Sequence, residues 1–140
     1  MTREEFIQIL DEKGISYEII GDKIVVTEDE VYPGYNIDLS SLESIPPGVV
    51  FNNVGWVSLR ALETIPPGVE FKNGGGVDLH SLETLPPGVE FKNGGGRFAF
   101  NNGVYLHSLT GDWFEDWNGN IEGIASNTLL NGMIKRGIFL

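Results

Sequence analysis

The chain has 140 residues, 41% of them hydrophobic, which fits one domain (1–140) with its own core. Its formal net charge of −11 argues against nucleic-acid binding through phosphate neutralisation. The absence of cysteine excludes disulfides and thiolate chemistry and fits a cytoplasmic location.

The N-terminal segment, residues 1–36, is expected to form a cap made of a helix and a hairpin. Thr2 and Glu5 have the spacing of a capping box, an apolar helical face follows, and Gly14 is placed to end the helix. The stretch SYEIIGDKIVVTE then predicts two strands joined at Gly21. The charged first residues indicate no signal peptide, and no run approaches the roughly 18–20 apolar residues of a membrane span.

Residues 37–96 contain three copies of a twenty-residue unit without insertions. The second copy, VSLRALETIPPGVEFKNGGG, is identical to the third, VDLHSLETLPPGVEFKNGGG, at 16 positions. A period of this length indicates a solenoid, in which each unit buries its apolar residues against its neighbours.

Each unit is predicted to contain two short strands and two bends. Val57 and Leu59 alternate at the spacing of a first strand, and Val69 and Phe71 alternate at that of a second. The Pro-Pro-Gly step between them suits a type II turn, whose glycine takes a positive φ. The asparagine before each glycine run is expected to bond backbone groups of the corner. We therefore expect a mainly β solenoid, with strands on both sides and an α/β N-terminal cap.

The register breaks after residue 96. Phe98 and Phe100 resemble Val89 and Phe91 of the second strand, and Leu106 resembles Leu79 of the first strand. This pattern predicts a shortened last coil, so that the solenoid covers residues 37–109. Residues 110–140 would then form an aromatic segment followed by a helical C-terminal cap with Ser126 as its N-cap.

The pattern V-x-L-x-x-L-x-x-L-P resembles leucine-rich repeats, particularly the short bacterial type with a proline after the last leucine. It departs from them because the expected loop asparagine is replaced by Ser41, Ala61 or Ser81, and because a V-E-F-K-N strand takes the place of a convex helix. The whole chain resembles small leucine-rich-repeat-like proteins of phage, giant-virus and bacterial genomes. The resemblance implies an inhibitor or modulator of a host protein, such as a defence component, acting in the host cytoplasm.

The outward positions of the first strands are where the copies differ, as expected of a binding face and also of any solvated face. Asp38, Ser58, Asp78 and Tyr105 would form one column, and Ser40, Arg60, His80 and His107 the next. The aromatic segment follows, and its side chains either cover the last coil or form an exposed patch. The predicted protein-binding residues are Arg60, His80, Tyr105, His107, Trp113 and Trp117.

Stacked in register, His80 and His107 would be close neighbours beside Asp78. Two histidines and a carboxylate are able to hold a metal, and a nearby serine would suggest a hydrolase. Every candidate serine is a repeat position, however, and no glycine-flanked nucleophile elbow is visible. A solvated polar face is therefore preferred, and no catalytic residue, metal site or cofactor is predicted.

The preferred function is a non-enzymatic protein-interaction module, with a protein partner and no contact with nucleic acid or membrane. One alternative is an acidic mimic that occupies a nucleic-acid-binding groove. This mimic needs rows of carboxylates, and the column of Glu43, Glu63 and Glu83 is the only such row. A second alternative is a purely structural or self-assembling solenoid, and homo-oligomers stay open.

Overall fold

The computed structural model describes residues 1–29, 36–79, 81–82, 86–93, 97–100, 105–107, 112–115, 121–125 and 135. These residues are mostly strand with one short helix, which confirms the mainly β prediction. The elements are α1 (Arg3–Lys13), β1 (Ile15–Ile20), β2 (Lys23–Asp29), β3 (Ile37–Asp38), β4 (Val49–Phe51), β5 (Val57–Ser58), β6 (Glu70–Phe71), β7 (Val77–Leu79), β8 (Glu90–Phe91), β9 (Arg97–Phe100), β10 (Tyr105–His107), β11 (Asp112–Glu115) and β12 (Ile121–Ala125).

Helix α1 begins and ends where the sequence predicts. The Thr2 hydroxyl accepts a hydrogen bond from the Glu5 backbone N–H at 3.1 Å, and the Glu5 carboxylate accepts one from the Thr2 N–H at 3.4 Å. Gly14 ends the helix in the left-handed conformation, with a φ of 71°. Phe6 and Leu10 are fully buried, so α1 covers one end of the core.

The strands form two open sheets. Sheet A has the order β1-β2-β4-β6-β8, with an antiparallel β1–β2 hairpin followed by parallel strands. Sheet B has the order β12-β11-β10-β9-β7-β5-β3. In sheet A, Phe51 pairs with Phe71 and Phe71 with Phe91; in sheet B, Val57 pairs with Val77. Equivalent strands of successive units therefore lie side by side at an offset of one repeat.

The core consists of columns of equivalent side chains between the two sheets. The Phe71 ring stacks on Phe51 and Phe91, with centroids 5.3 and 4.9 Å apart and interplanar angles of 9°. Each such aromatic pair contributes about 0.5–1.5 kcal/mol beyond its area burial. The buried columns are Ile37, Val57 and Val77; Leu39, Leu59 and Leu79; Leu42, Leu62 and Leu82; Val49, Val69 and Val89; and Phe51, Phe71 and Phe91.

Glycines permit the two bends of each unit. Gly48, Gly68 and Gly88 follow the proline pairs with φ of 81°, 86° and 100°, as the type II turn prediction requires. At the other corner, a Cβ on Gly74 would lie 2.2 Å from the Val54 carbonyl oxygen. Because that neighbour is backbone of the preceding unit, close stacking leaves no room for a side chain there.

A column of buried asparagines holds the glycine-rich corners together, as the sequence predicts. The Asn73 side-chain amide donates to the carbonyls of Gly55, Gly75 and Gly76 at 3.0–3.1 Å. The Asn53 amide donates to Gly55 and Trp56 in the same way. The carbonyls of Gly55, Trp56 and Gly76 also accept backbone N–H groups of neighbouring units, so each amide adds a second bond at the corner between units.

The predicted assignment of Phe98 and Phe100 to a second strand is wrong. Phe98 pairs in parallel with Val77 and Phe100 with Leu79, so β9 continues the sheet of first strands rather than that of the second strands. Strand β10 then returns antiparallel, which places Leu106 beside Phe98. Only four residues separate β9 from β10. Such a short connection permits a hairpin, whereas another parallel strand would need a longer crossover.

Strands β11 and β12 extend sheet B by a further antiparallel hairpin, which the sequence interpretation did not include. They occupy part of the predicted aromatic segment. The predicted helical C-terminal cap begins at Ser126 and lies outside the described residues, apart from residue 135.

The buried columns generate a stability prediction. Leu59→Ala and Leu79→Ala are each expected to lower the free energy of unfolding by about 2–5 kcal/mol, because each empties a fully buried site. Ser58→Ala, on the outward side of β5, should stay within about 0.5 kcal/mol. Urea unfolding followed by circular dichroism measures the three values. Equal small losses would show that the inward and outward positions are misassigned.

The asparagine column generates a second prediction. Asn73→Ala should cost about 1–3 kcal/mol, because it removes three hydrogen bonds that a fully buried side chain donates. Asn52→Ala, at an exposed asparagine of the preceding unit, is the matched control and should be nearly neutral. Similar urea midpoints for both variants would contradict the structural role of Asn73.

Candidate functional site

The candidate site is the outer surface of sheet B, called here the strand ladder and defined by Asp38, Ser58, Asp78, Ser40 and Arg60. Asp38 pairs with Ser58, and Ser58 with Asp78, so these positions form a register row. Their inward neighbours are buried, whereas the outward residues are exposed or half-buried. The ladder therefore presents polar side chains from consecutive units at the strand spacing of about 4.8 Å.

Arg60 is the exposed cation of the strand ladder. It lies in the bend directly after Leu59, and the Leu59 N–H donates to the Asp78 carbonyl at 2.9 Å. The Leu62 N–H closes the bend on the Leu59 carbonyl at 3.1 Å. Its side chain is exposed, and within the described part of the chain no ion pair engages the guanidinium.

Asp38 and Ser40 form a local hydrogen-bonded pair at the N-terminal end of the ladder. The Ser40 hydroxyl and its backbone N–H, at 3.0 Å, both donate to the same Asp38 carboxylate oxygen. These bonds hold the pKa of Asp38 below its ordinary value, the hydroxyl being the largest cause. The outward face of the first unit is thereby fixed in one geometry.

The structure describes the backbone of three further predicted site residues. Tyr105 and His107 lie in β10, opposite Ala99 and Arg97 of β9. Trp113 lies in β11, and because Leu106 pairs with Phe114, the antiparallel register sets Trp113 opposite His107. His80 and Trp117 lie outside the described residues.

Two predicted columns of the ladder need correction. Ala99, rather than Tyr105, pairs with Asp78, and Tyr105 follows one strand further along the same row. His107 lies opposite Arg97, whereas Leu79, the residue before His80, pairs with Phe100. Since Arg97 and Phe100 are about 10 Å apart along a strand, His107 does not lie in the predicted column of Ser40 and Arg60. His80 lies outside the described residues, so its predicted position beside His107 stays a prediction.

A metal site needs several ligand side chains close together. Among the described residues, no group of three or more histidine, aspartate or glutamate side chains is close enough to hold a metal ion. Glu43 and Glu63 of the predicted carboxylate row are exposed, and Glu83 lies outside the described residues.

The outer surface of sheet A compensates its charges internally. A Glu70 carboxylate oxygen lies 3.6 Å from Lys23 Nζ, and the other lies 3.4 Å from Lys72 Nζ. A Glu90 carboxylate oxygen lies 3.0 Å from Lys92 Nζ. The Lys92 ammonium lowers the pKa of Glu90, mainly through a hydrogen bond. These exposed pairs contribute little to stability, but they compensate the charges of Glu70 and Glu90 on this part of the surface.

One exposed apolar feature was missed at the sequence level. Ile19 and Ile20, at the end of edge strand β1, are 49% and 57% exposed. Consecutive strand residues point to opposite faces, so a pair of isoleucines before a hairpin turn cannot both face the core. The two adjacent isoleucines were therefore the sequence signal for an exposed apolar side chain.

Comparisons of the chain with protein-family models, curated proteins and solved structures found no match. Within the part of the chain that the structure describes, no helix has both the length and the apolar character needed to cross a membrane.

The Asp38–Ser40 pair generates a pH prediction. Because the folded pKa of Asp38 is lowered, its contribution to stability is present above the ordinary aspartate pKa of about 4 and is lost as pH falls through the lowered value. Ser40→Ala removes the hydroxyl donor and should raise the Asp38 pKa in a carbon-detected NMR titration. Ser58→Ala should leave it unchanged. An Asp38 pKa that is equal in both variants would contradict this account.

Proposed function

We propose that this chain is a non-enzymatic protein-interaction module built as a short, leucine-rich-repeat-like solenoid. One observation carries the proposal: equivalent strands pair in register, with constant buried residues inward and different polar residues outward. Leu59 and Leu79 are equivalent and fully buried, whereas Ser58 pairs with Asp78 on the outer surface.

A surface of this kind suits protein binding for an energetic reason. The strand ladder is held by parallel pairing, buried columns and the asparagine corners, so its side chains start from a fixed backbone. Rigid presentation lowers the entropy lost on association. Repeat proteins use such extended arrays as binding surfaces, and the varied outward residues provide the specificity.

The distribution of charge favours this function over the acidic mimic. A mimic of nucleic acid needs rows of uncompensated carboxylates. On sheet A, Glu70 and Glu90 are instead paired with Lys72 and Lys92, which directly follow their strands, and Glu70 also lies near Lys23 of β2. The net charge of −11 is more consistent with a basic protein partner. The more specific role of inhibitor or modulator of a host protein rests on the family resemblance and stays a prediction.

Arg60 supplies the test of the proposed binding surface. A partner is first captured from a lysate of the source cell or its host. Calorimetry then measures the affinity of that partner for the variants Arg60→Ala, Tyr105→Ala and Trp113→Ala. At least one should weaken binding by more than about 1 kcal/mol without unfolding the chain. The matched control is Lys72→Ala, an exposed cation on sheet A, which should have little effect.

Two outcomes would contradict the proposal. The first is that Lys72→Ala loses binding whereas Arg60→Ala, Tyr105→Ala and Trp113→Ala do not. The interaction would then be assigned to sheet A. An affinity that falls steeply with salt but responds to no single variant would favour the acidic mimic, because long-range charge would then dominate.

A further inference from the structure

Edge strand β1 has backbone groups that no strand of the described chain pairs with. The Ile24 N–H donates to the Gly48 carbonyl, and the Val26 carbonyl accepts from Asn52, so both β2 residues direct their backbone groups to β4. Their partners across the hairpin are Ile19 and Tyr17. In an antiparallel pair, residues opposite such positions also point their N–H and C=O groups away from the shared ladder. Tyr17 and Ile19 therefore direct these groups off the edge of sheet A.

This edge carries few of the features that protect edge strands. Natural edges are commonly blocked by lysine, proline, bulges or very short strands. β1 has six residues, ISYEII, with neither lysine nor proline. The register shift in the β1–β2 pairing lies at Ser16 and Tyr17, so the segment from Tyr17 to Ile20 continues as a regular ladder.

Apolar and acidic side chains flank both faces of this edge. Ile19 and Tyr17 share the face of the buried β2 residues, and the Tyr17 hydroxyl donates to the Asp11 carboxylate at 2.9 Å. Ile20 shares the opposite face with Glu18, which is exposed. Each face thus offers one partly exposed isoleucine with a carboxylate nearby.

The local charge is strongly acidic. Residues 1–29 contain eight acidic and three basic residues. Two of these cations are engaged within the fold: Lys23 lies 3.6 Å from Glu70, and the Arg3 guanidinium donates to the Asp22 backbone carbonyl. An arriving strand would therefore meet an excess of negative charge, which favours lysine and arginine in the partner.

The same charge disfavours a second copy of this chain. A two-fold antiparallel pairing that uses both outward residues places Tyr17 opposite Ile19 of the other copy. The centre of that pairing sets two Glu18 carboxylates directly opposite each other, and like charges in this position are destabilising.

We infer that the β1 edge binds an extended, basic segment of a partner protein, which adds to sheet A as a further strand beside Tyr17 and Ile19. This rests on the proposed protein-binding function and names a second surface for it, distinct from the strand ladder. Main-chain hydrogen bonds to Tyr17 and Ile19 supply affinity. Because each face carries an isoleucine and a carboxylate, each face selects one apolar and one basic side chain of the added strand, so the preferred pattern is two basic residues followed by two apolar residues.

The test uses a synthetic six-residue peptide in which pairs of lysine or arginine residues alternate with pairs of valine or isoleucine residues, so that both kinds lie on each face. The peptide is titrated into the full chain and followed by nitrogen–proton NMR. The amides of Tyr17 and Ile19 are expected to shift and to gain protection from hydrogen exchange. The Glu18 and Ile20 amides, already directed towards β2, should gain less protection. The same peptide with methylated backbone nitrogens should not bind.

Two pairs of matched variants separate the edge from general attraction to an acidic protein. Ile20→Lys should weaken peptide binding about fivefold or more, whereas Val54→Lys, at an isolated valine that is 74% exposed, should not. Glu18→Lys should weaken it comparably, whereas Glu63→Lys, at another exposed glutamate, should have a smaller effect.

Three results would overturn the inference. The first is the absence of any shift at Tyr17 and Ile19 at saturating peptide, and the second is equal binding of the methylated peptide. The third is protection of these amides that rises with protein concentration alone, which would assign the edge to a second copy. A captured partner that responds to Arg60→Ala but not to Ile20→Lys would support the proposed function and reject this edge. Peptide binding at the edge without any captured partner would support the edge and count against the proposed function.

Discussion

The structure depends on the in-register stacking of equivalent residues at the spacing of neighbouring strands. At about 4.8 Å, a side chain in one unit contacts its own copy in the next, so a column is filled well only when its members have compatible shapes. The Phe51, Phe71 and Phe91 rings meet this condition at interplanar angles of 9°. The asparagine corners and the close backbone approach at Gly74 follow from the same spacing.

The repeated part of the fold could be predicted because each of its residue patterns occurs several times in the sequence. Three copies of a strand pattern with Ile or Val followed two residues later by Leu, three of Pro-Pro-Gly and three of V-x-F identify inward positions and turns without reference to distant residues. After residue 96 this redundancy ends. Phe98 lies in β9, which comes directly after a glycine run, as the first strand β7 does, and β9 pairs with β7. The spacing of Phe98 and Phe100 alone does not reveal this, and the short connection to β10 accounts only for the antiparallel return of that strand. The antiparallel hairpin of β11 and β12 could not be predicted either, because it also lies beyond the repeats.

The candidate site was predictable only in part. Arg60 follows from the repeat register, because outward positions alternate with the buried columns. The row that includes Tyr105 could be anticipated, but its order could not, since Ala99 comes between Asp78 and Tyr105. The edge at Tyr17 and Ile19 required the direction of the β2 hydrogen bonds. Stacking thus constrains the inside of the molecule and leaves the outward residues of the ladder and of the β1 edge outside that constraint.

Removing one unit tests the central role of stacking most directly. Deletion of residues 57–76 joins Trp56 to Val77, so that β3 would pair with β7 at the register that β5 now uses. The account predicts a shorter chain that unfolds in one cooperative urea transition, with reduced stability. Deletion of residues 59–76 removes less of the chain but shifts the repeat register, and it should abolish that transition. If both deletions unfold alike, in-register stacking does not determine this fold.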